Sequence, residues 1–222
     1  MKKILVIAPH PDDETLGCGG SLLRHKASND QINWMIFTSV SGAGSYSYKY
    51  IEKRVTEINK VAEFYGFKHT HQLNFPAMEL DTVPYSKMIS AASKIILELK
   101  PEVIYIPFPG DVHSDHRIVF DVIAPLTKSF RYPYVKSVRI YETISETEFS
   151  INPTVTNFKP NMWIDISDYI DKKLDAMSLY SSEVCDFPFP RSIEAIRSLA
   201  MLRGSTISVQ AAEAFMSIKE VL

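Results

Sequence analysis

Residues 3–20 read KILVIAPHPDDETLGCGG, and this stretch decides the fold. Lys3 is followed by five apolar residues, of which Ile4, Val6 and Ile7 are β-branched. A continuous apolar run of that length reads as a strand buried on both faces, as in a parallel sheet. Pro9 to Asp13 interrupt it, and a helix is expected over residues 14–26. Gly17, Gly19 and Gly20 fall inside that helix, where glycine is unfavourable. Three of only eight glycines placed there predict a helix packed closely against its neighbours.

Reading outward, INWMIFT (32–38) is a second strand, ended by the Gly/Ser-rich SVSGAGS. Ile51, Val55, Ile58, Ala62 and Tyr65 trace one face of a helix, which Gly66 closes. A short strand is expected at 71–75. Tyr85, Met88, Ala92, Ile95 and Leu99 give another helical face, stopped by Pro101. VIYIPF (103–108) is the next strand, and a helix begins near His116. Over 135–142, Val138 and Ile140 alternate with Arg139 and Tyr141, which predicts a strand nearer a sheet edge. Strand and helix thus alternate four times, the pattern of an α/β fold whose mostly parallel, Rossmann-like sheet has helices on both faces.

Beyond about residue 145 comes a polar connection, then MWIDI (162–166) as a strand and helices at 168–182 and 191–203. No flexible linker separates this part, so one domain over 1–222 is expected. Its Rossmann-like core is 1–144, and 145–222 is a strand–helix extension of that core.

Lys+Arg 24 against Asp+Glu 26 gives a net charge of −2 with no basic run, which argues against a nucleic-acid partner. No stretch approaches the ~20 apolar residues of a membrane span. Two cysteines form no disulfide framework, and a cytoplasmic protein is the simplest expectation.

In open α/β sheets ligands bind beyond the carboxyl ends of the strands. Chemically active residue types gather there twice. His10-Pro11-Asp12-Asp13-Glu14 follows the first strand, and Asp111-Val112-His113-Ser114-Asp115-His116 follows VIYIPF. Alone, the first motif also reads as a turn with acids at a helix N-terminus, and the second as a helix cap. Together they crowd several carboxylates at one sheet edge, which repel unless a cation holds them. Imidazole and carboxylate donors suit a divalent metal such as zinc.

The pair HPDDE-x₂-GCGG and HSDHR resembles the LmbE-like, or PIG-L, family of zinc-dependent N-deacetylases. Arg54-Val55-Thr56-Glu57 looks like that family's Arg-x-x-Glu. Asp165-Ile166-Ser167, Lys173, Tyr180-Ser181-Ser182-Glu183, Arg203-Gly204 and Ala212-Glu213-Ala214-Phe215 resemble its later motifs. The resemblance implies hydrolysis of N-acetyl groups, typically on amino sugars and their conjugates, with one zinc per chain. It implies His10, Asp13 and His116 as metal ligands and Asp12 as general base. It implies His113 as acid and oxyanion donor, oriented by Asp115. Arg54 would bind an anionic group of the substrate. The implied partner is a small N-acetylated sugar or conjugate, and members of this family often form homo-oligomers.

Two positions depart from the family pattern. Asp111 stands where some members place a tyrosine near the oxyanion, on the substrate side of the site. Pro76-Ala77 replaces a frequent Pro-Asp. Both bear on substrate identity more than on reaction type. Elsewhere Cys18 reads as a packed thiol, Trp34 and Trp163 as core, and Tyr46, Tyr48 and Tyr50 as loop tyrosines able to stack on a sugar. The glycines do not follow GxGxxG, and no GxSxG is present, which disfavours a dinucleotide binder and a serine hydrolase. A metal-dependent amidase acting on a different amide, or a non-catalytic metal- or sugar-binding protein on the same fold, remain as alternatives.

Overall fold

The run Ile4–Ala8 is fully buried, each residue at 0% exposure, and forms the middle of the sheet. The computed structural model describes residues 1–41, 46–150 and 157–221, which leaves Gly42 and Gly44 outside the described residues. In chain order it comprises β1 (Lys3–Ala8), α1 (Asp13–Ala27), β2 (Gln31–Ser39), α2 (Tyr48–Tyr65) and β3 (His69–Pro76). These are followed by α3 (Tyr85–Leu99), β4 (Val103–Pro107), α4 (Ser114–Ile123) and β5 (Ser137–Tyr141). The chain ends with β6 (Met162–Asp165), α5 (Ile170–Ser178), α6 (Ile193–Ser205) and β7 (Ala212–Glu220).

The sheet runs β3-β2-β1-β4-β5-β7-β6. The first five strands in the chain pair in parallel, and β7 is antiparallel to both β5 and β6. Alternate residues of β1 feed two cores. Ile4, Val6 and Ala8 pack with Leu16 and Leu22 of α1, Val61 of α2, Met177 of α5 and Ile196 of α6. Leu5 and Ile7 pack with Met88 and Ile96 of α3 and Val119 of α4 on the other face. This is the two-sided burial that a continuous apolar strand requires. No helix of the described residues is long and apolar enough to cross a membrane.

Three local expectations change. β5 is interior, because β7, a strand the sequence pattern does not announce, covers it. Its Arg139 is buried, donating to Tyr105 Oη at 2.8 Å and to Ser137 Oγ at 3.0 Å. Trp163 lies on the edge strand β6 and is only half-buried. Of the two C-terminal helices, the first is shorter than expected, at Ile170–Ser178, and the second keeps its length but starts two residues later, at Ile193–Ser205.

The glycine-rich helix is tight for a specific reason. A Cβ on Gly17 would stand 2.2 Å from Tyr141 Cδ2, inside the ring. α1 also bends at Cys18 (φ −147°, ψ 22°), which frees the amides that follow. The Glu213 carboxylate of β7 accepts from Gly20 N and Ser21 N, both at 2.8 Å. Lys173 of α5 donates to the same carboxylate at 2.7 Å and to Leu16 O at 2.8 Å.

Candidate active site

The sheet order reverses at β1, with β2 on one side and β4 on the other, and the chain leaves both β1 and β4 at the same edge. Such a reversal opens a crevice at the carboxyl ends of the strands. There lies a cleft of about 370 Å³, lined by His10, Asp12, Asp13, Arg54, His113 and His116 among others.

His10, Asp13 and His116 each present a donor atom, and these atoms lie within 4.8 Å of one another. Asp13 Oδ2 is 3.3 Å from His10 Nδ1 and 3.4 Å from His116 Nε2. Each imidazole is held from behind by a carboxylate. His116 Nδ1 is 2.7 Å from Asp111 Oδ2, and His10 Nε2 is 3.0 Å from Asp115 Oδ2. A carboxylate on the far nitrogen fixes the ring and leaves the near nitrogen as a ligand, the usual support of a metal-bound histidine. Two imidazoles and a carboxylate so arranged fit a divalent metal. His10, His113 and Asp115 form a second possible donor group. There, however, Asp115 Oδ2 is already engaged by His10 and by Met78 N at 2.8 Å.

The electrostatics agree. Burial opposes a charge on His10, but its bonds to Asp115 and Asp13 outweigh this and raise its pKa to about 9. Burial likewise opposes a charge on His116, and Asp13 with Asp111 lifts it well above the usual range. Burial would raise Asp13, yet His116 and His10 hold it well below the ordinary carboxylate value. A site that stabilises positive charge on two imidazoles is also one that welcomes a cation.

Asp12 is buried beside this triad in a backbone conformation (φ 133°, ψ −29°) that costs a non-glycine residue strain. Its amide donates to Glu14 Oε2 at 3.1 Å. Glu14 is itself buried, accepts from Tyr180 Oη at 2.8 Å, and is pushed up to about 7 by burial. Arg54 donates to the Pro11 carbonyl on the other side of the same loop. Burial, then the neighbouring Asp13, raises the Asp12 carboxyl well above its ordinary value. Arg54 and Arg191 act against them.

His113 faces the same cleft, its ring centre 4.5 Å from that of His10. The Asp115 amide donates to its Nδ1 at 3.1 Å. The neutral ring therefore carries its proton on Nε2. Burial, with His10 and His116 nearby, lowers its pKa to about 4, so it is neutral at ordinary pH.

Three positions differ from the roles expected above, and two further residues join the site. The Asp115 carboxylate orients His10, and only its backbone amide touches His113. Asp111 lies behind His116, its second oxygen accepting from Thr147 Oγ1 at 2.6 Å, and it does not line the cleft. Arg54 is almost fully buried, and its donors go to Pro11, Glu57 and Ser182 and to an ion pair with Glu183. A guanidinium so committed holds the Pro11–Asp12 loop in place. Arg191, from the start of the segment leading into α6, reaches the cleft with Nη1 3.6 Å from Asp12 Oδ2. Sequence reasoning gave it no role, because nothing local marks an arginine after Pro190. Glu183, at the end of the Tyr180–Glu183 motif, also lines the cleft.

A family model described as GlcNAc-PI de-N-acetylase (PIG-L) matches residues 5–126, more than half of the chain. The diacetylchitobiose deacetylase of Thermococcus kodakarensis is 25% identical over 212 residues, spanning 92% of this chain and 78% of the relative. A probable N-acetyl-α-D-glucosaminyl L-malate deacetylase 2 of Bacillus anthracis is 22% identical over 190 residues, spanning 82% and 81%. Among solved structures, a conserved protein from Thermus thermophilus superposes with a TM-score of 0.80 at 28% identity. It is matched over 97% of its chain and 100% of this one.

Proposed function

The chain belongs to the PIG-L (GlcNAc-PI de-N-acetylase) family, and on that premise we propose that it is a zinc-dependent hydrolase. It removes the N-acetyl group from an N-acetylglucosamine-type sugar or sugar conjugate. One observation carries this reading: two carboxylate-backed imidazoles flank Asp13, with the buried carboxylate of Asp12 alongside. The relatives' names contain two kinds of N-acetyl sugar, a chitobiose and a malate conjugate. The whole chain, 1–222, acts as one catalytic domain, since Glu183 and Arg191 of the extension line the same cleft as His10.

His10, Asp13 and His116 hold the metal, one per chain. A zinc ion bound there supplies Lewis acidity, polarising the amide carbonyl and acidifying water. Asp12 takes the proton of the attacking water, and its raised affinity for protons makes it the stronger base. The neutral His113 donates Nε2–H to the oxygen on which charge develops, as oxyanion donors do. With His113 neutral, Asp12 is also the group that carries a proton back to the leaving nitrogen. Asp111 and Asp115 orient the two ligating rings, and Arg54 fixes the Pro11–Asp12 loop.

The test is released acetate from N-acetylglucosamine, diacetylchitobiose and N-acetylglucosaminyl malate, with and without chelator. Acetate that appears only with metal is expected. No acetate from any of them by zinc-loaded protein sinks the deacetylase reading.

A further inference from the structure

Arg54 is committed through Nη1 and Nη2 to Glu57, Ser182, Glu183 and Pro11 and is almost fully buried, whereas Arg191 is the more exposed guanidinium of the cleft. Arg191 Nη2 is 3.4 Å from Glu183 Oε2 and Nη1 is 3.6 Å from Asp12 Oδ2, both beyond a good hydrogen bond. Its Nε has no partner among the described residues. Glu183 is divided in the same way. Its Oε1 accepts from Tyr50 Oη at 3.2 Å and Ser182 Oγ at 3.1 Å, and pairs with Arg54 at 3.2 Å. Among the described residues its Oε2 faces only Arg191. Arg191 and Glu183 Oε2 are thus engaged with each other and Asp12 only in ion pairs longer than a good hydrogen bond, with Arg191 Nε unpartnered among the described residues. Tyr50 carries the aromatic surface next to this pair: its ring stacks on Tyr46 at 5.1 Å and 16°. Tyr46 lines the mouth of the cleft and is about one-third exposed.

Charge decides what such a pair takes. The cleft is lined by four carboxylates (Asp12, Asp13, Glu146, Glu183) and two guanidinium groups (Arg54, Arg191). Carboxyl groups thus outnumber guanidinium groups in the lining. Arg191 itself is flanked by two carboxylates. We infer that Arg191 and Glu183, with the Tyr46–Tyr50 pair, form a subsite for a neutral pyranose. The guanidinium donates to one ring hydroxyl, Glu183 Oε2 accepts from a neighbouring one, and the tyrosines cover an apolar face. The chain therefore selects neutral N-acetylhexosamine glycans over sugars bearing a carboxylate or phosphate. This rests on the deacetylase reading of the same cleft.

The experiment compares zinc-loaded wild type, R191M and E183Q on two probes, methyl N-acetyl-α-glucosaminide and N-acetyl-α-glucosamine 1-phosphate. Wild type is expected to favour the neutral glycoside in kcat/KM by about tenfold or more. R191M should raise KM for the glycoside about 10–100-fold, the loss of a hydrogen bond to a charged group, with zinc content and Tm unchanged. E183Q should move the ratio towards the phosphate by about tenfold, because it uncovers the charge of Arg191. Equal or better use of the phosphate by wild type, or an unaltered KM in R191M, overturns the subsite and leaves the deacetylase reading standing. No acetate from either probe removes both.

Discussion

Asp12 is the residue where fold and chemistry conflict. Its φ of 133° lies where glycine alone sits without cost, and such strain is typically about 1–3 kcal/mol. The carboxylate is also buried next to Asp13. D12G should therefore unfold at a temperature no lower than wild type while deacetylase activity falls by about 10²–10⁴. A lower Tm by calorimetry would show that the backbone is not strained there. D12N keeps the shape without the proton acceptor and should lose a similar factor in kcat with zinc content intact. Asp111 makes a separate prediction at this scale. D111N removes the anion behind His116 and should weaken zinc binding about 10–100-fold in chelator competition. If Asp111 met the substrate instead, KM would change and zinc affinity would not.

At the scale of elements, the kink in α1 depends on β7. Glu213 accepts from two amides that the bend at Cys18 releases, and it is paired with the buried Lys173. E213A leaves an unpaired buried ammonium and three unmet donors (Gly20 N, Ser21 N and Ser21 Oγ), which should cost about 3–5 kcal/mol in denaturant unfolding. The double variant E213A/K173M should recover part of that loss, since the stranded charge is gone. Full additivity of the two losses would refute the coupling. The same elements show where sequence reading ends. β1, α3 and the HPDD and HSDH loops were legible because an apolar run, a 3.6-residue period and a dense set of ligand residues are local signals. β7 was not: AEAFMSIKE mixes polar and apolar residues, and it becomes a strand by filling the place between β5 and β6. β5 read as an edge strand because Arg139 broke its apolar pattern, and only the fold supplies the Tyr105 and Ser137 partners that let an arginine be buried. Arg191 had no signal for the same reason, since its neighbours Asp12 and Glu183 are distant or separate in sequence.

For the whole molecule, the proposed metal site couples metal, protons and stability through His10 and His116. His10 has a folded-state pKa of about 9 against an ordinary value of 6.5. In metal-free protein its charge therefore contributes stability that is fully present below about pH 6.5 and is lost as pH rises through about 9. His116, raised in the same direction, adds to this trend. A metal needs both near nitrogens unprotonated, so binding at neutral pH must displace those protons and grows tighter as pH rises. Asp13, held low, is ionised throughout and adds no pH dependence in this range. The two effects have opposite signs. From about pH 6.5 to 9 the Tm of the chelated protein should fall, and the increment produced by a fixed free zinc concentration should widen. Calorimetric zinc titrations in buffers of different ionisation enthalpy should register proton release at neutral pH. A zinc increment in Tm that is flat or narrows across that range would mean that the metal does not sit on His10 and His116.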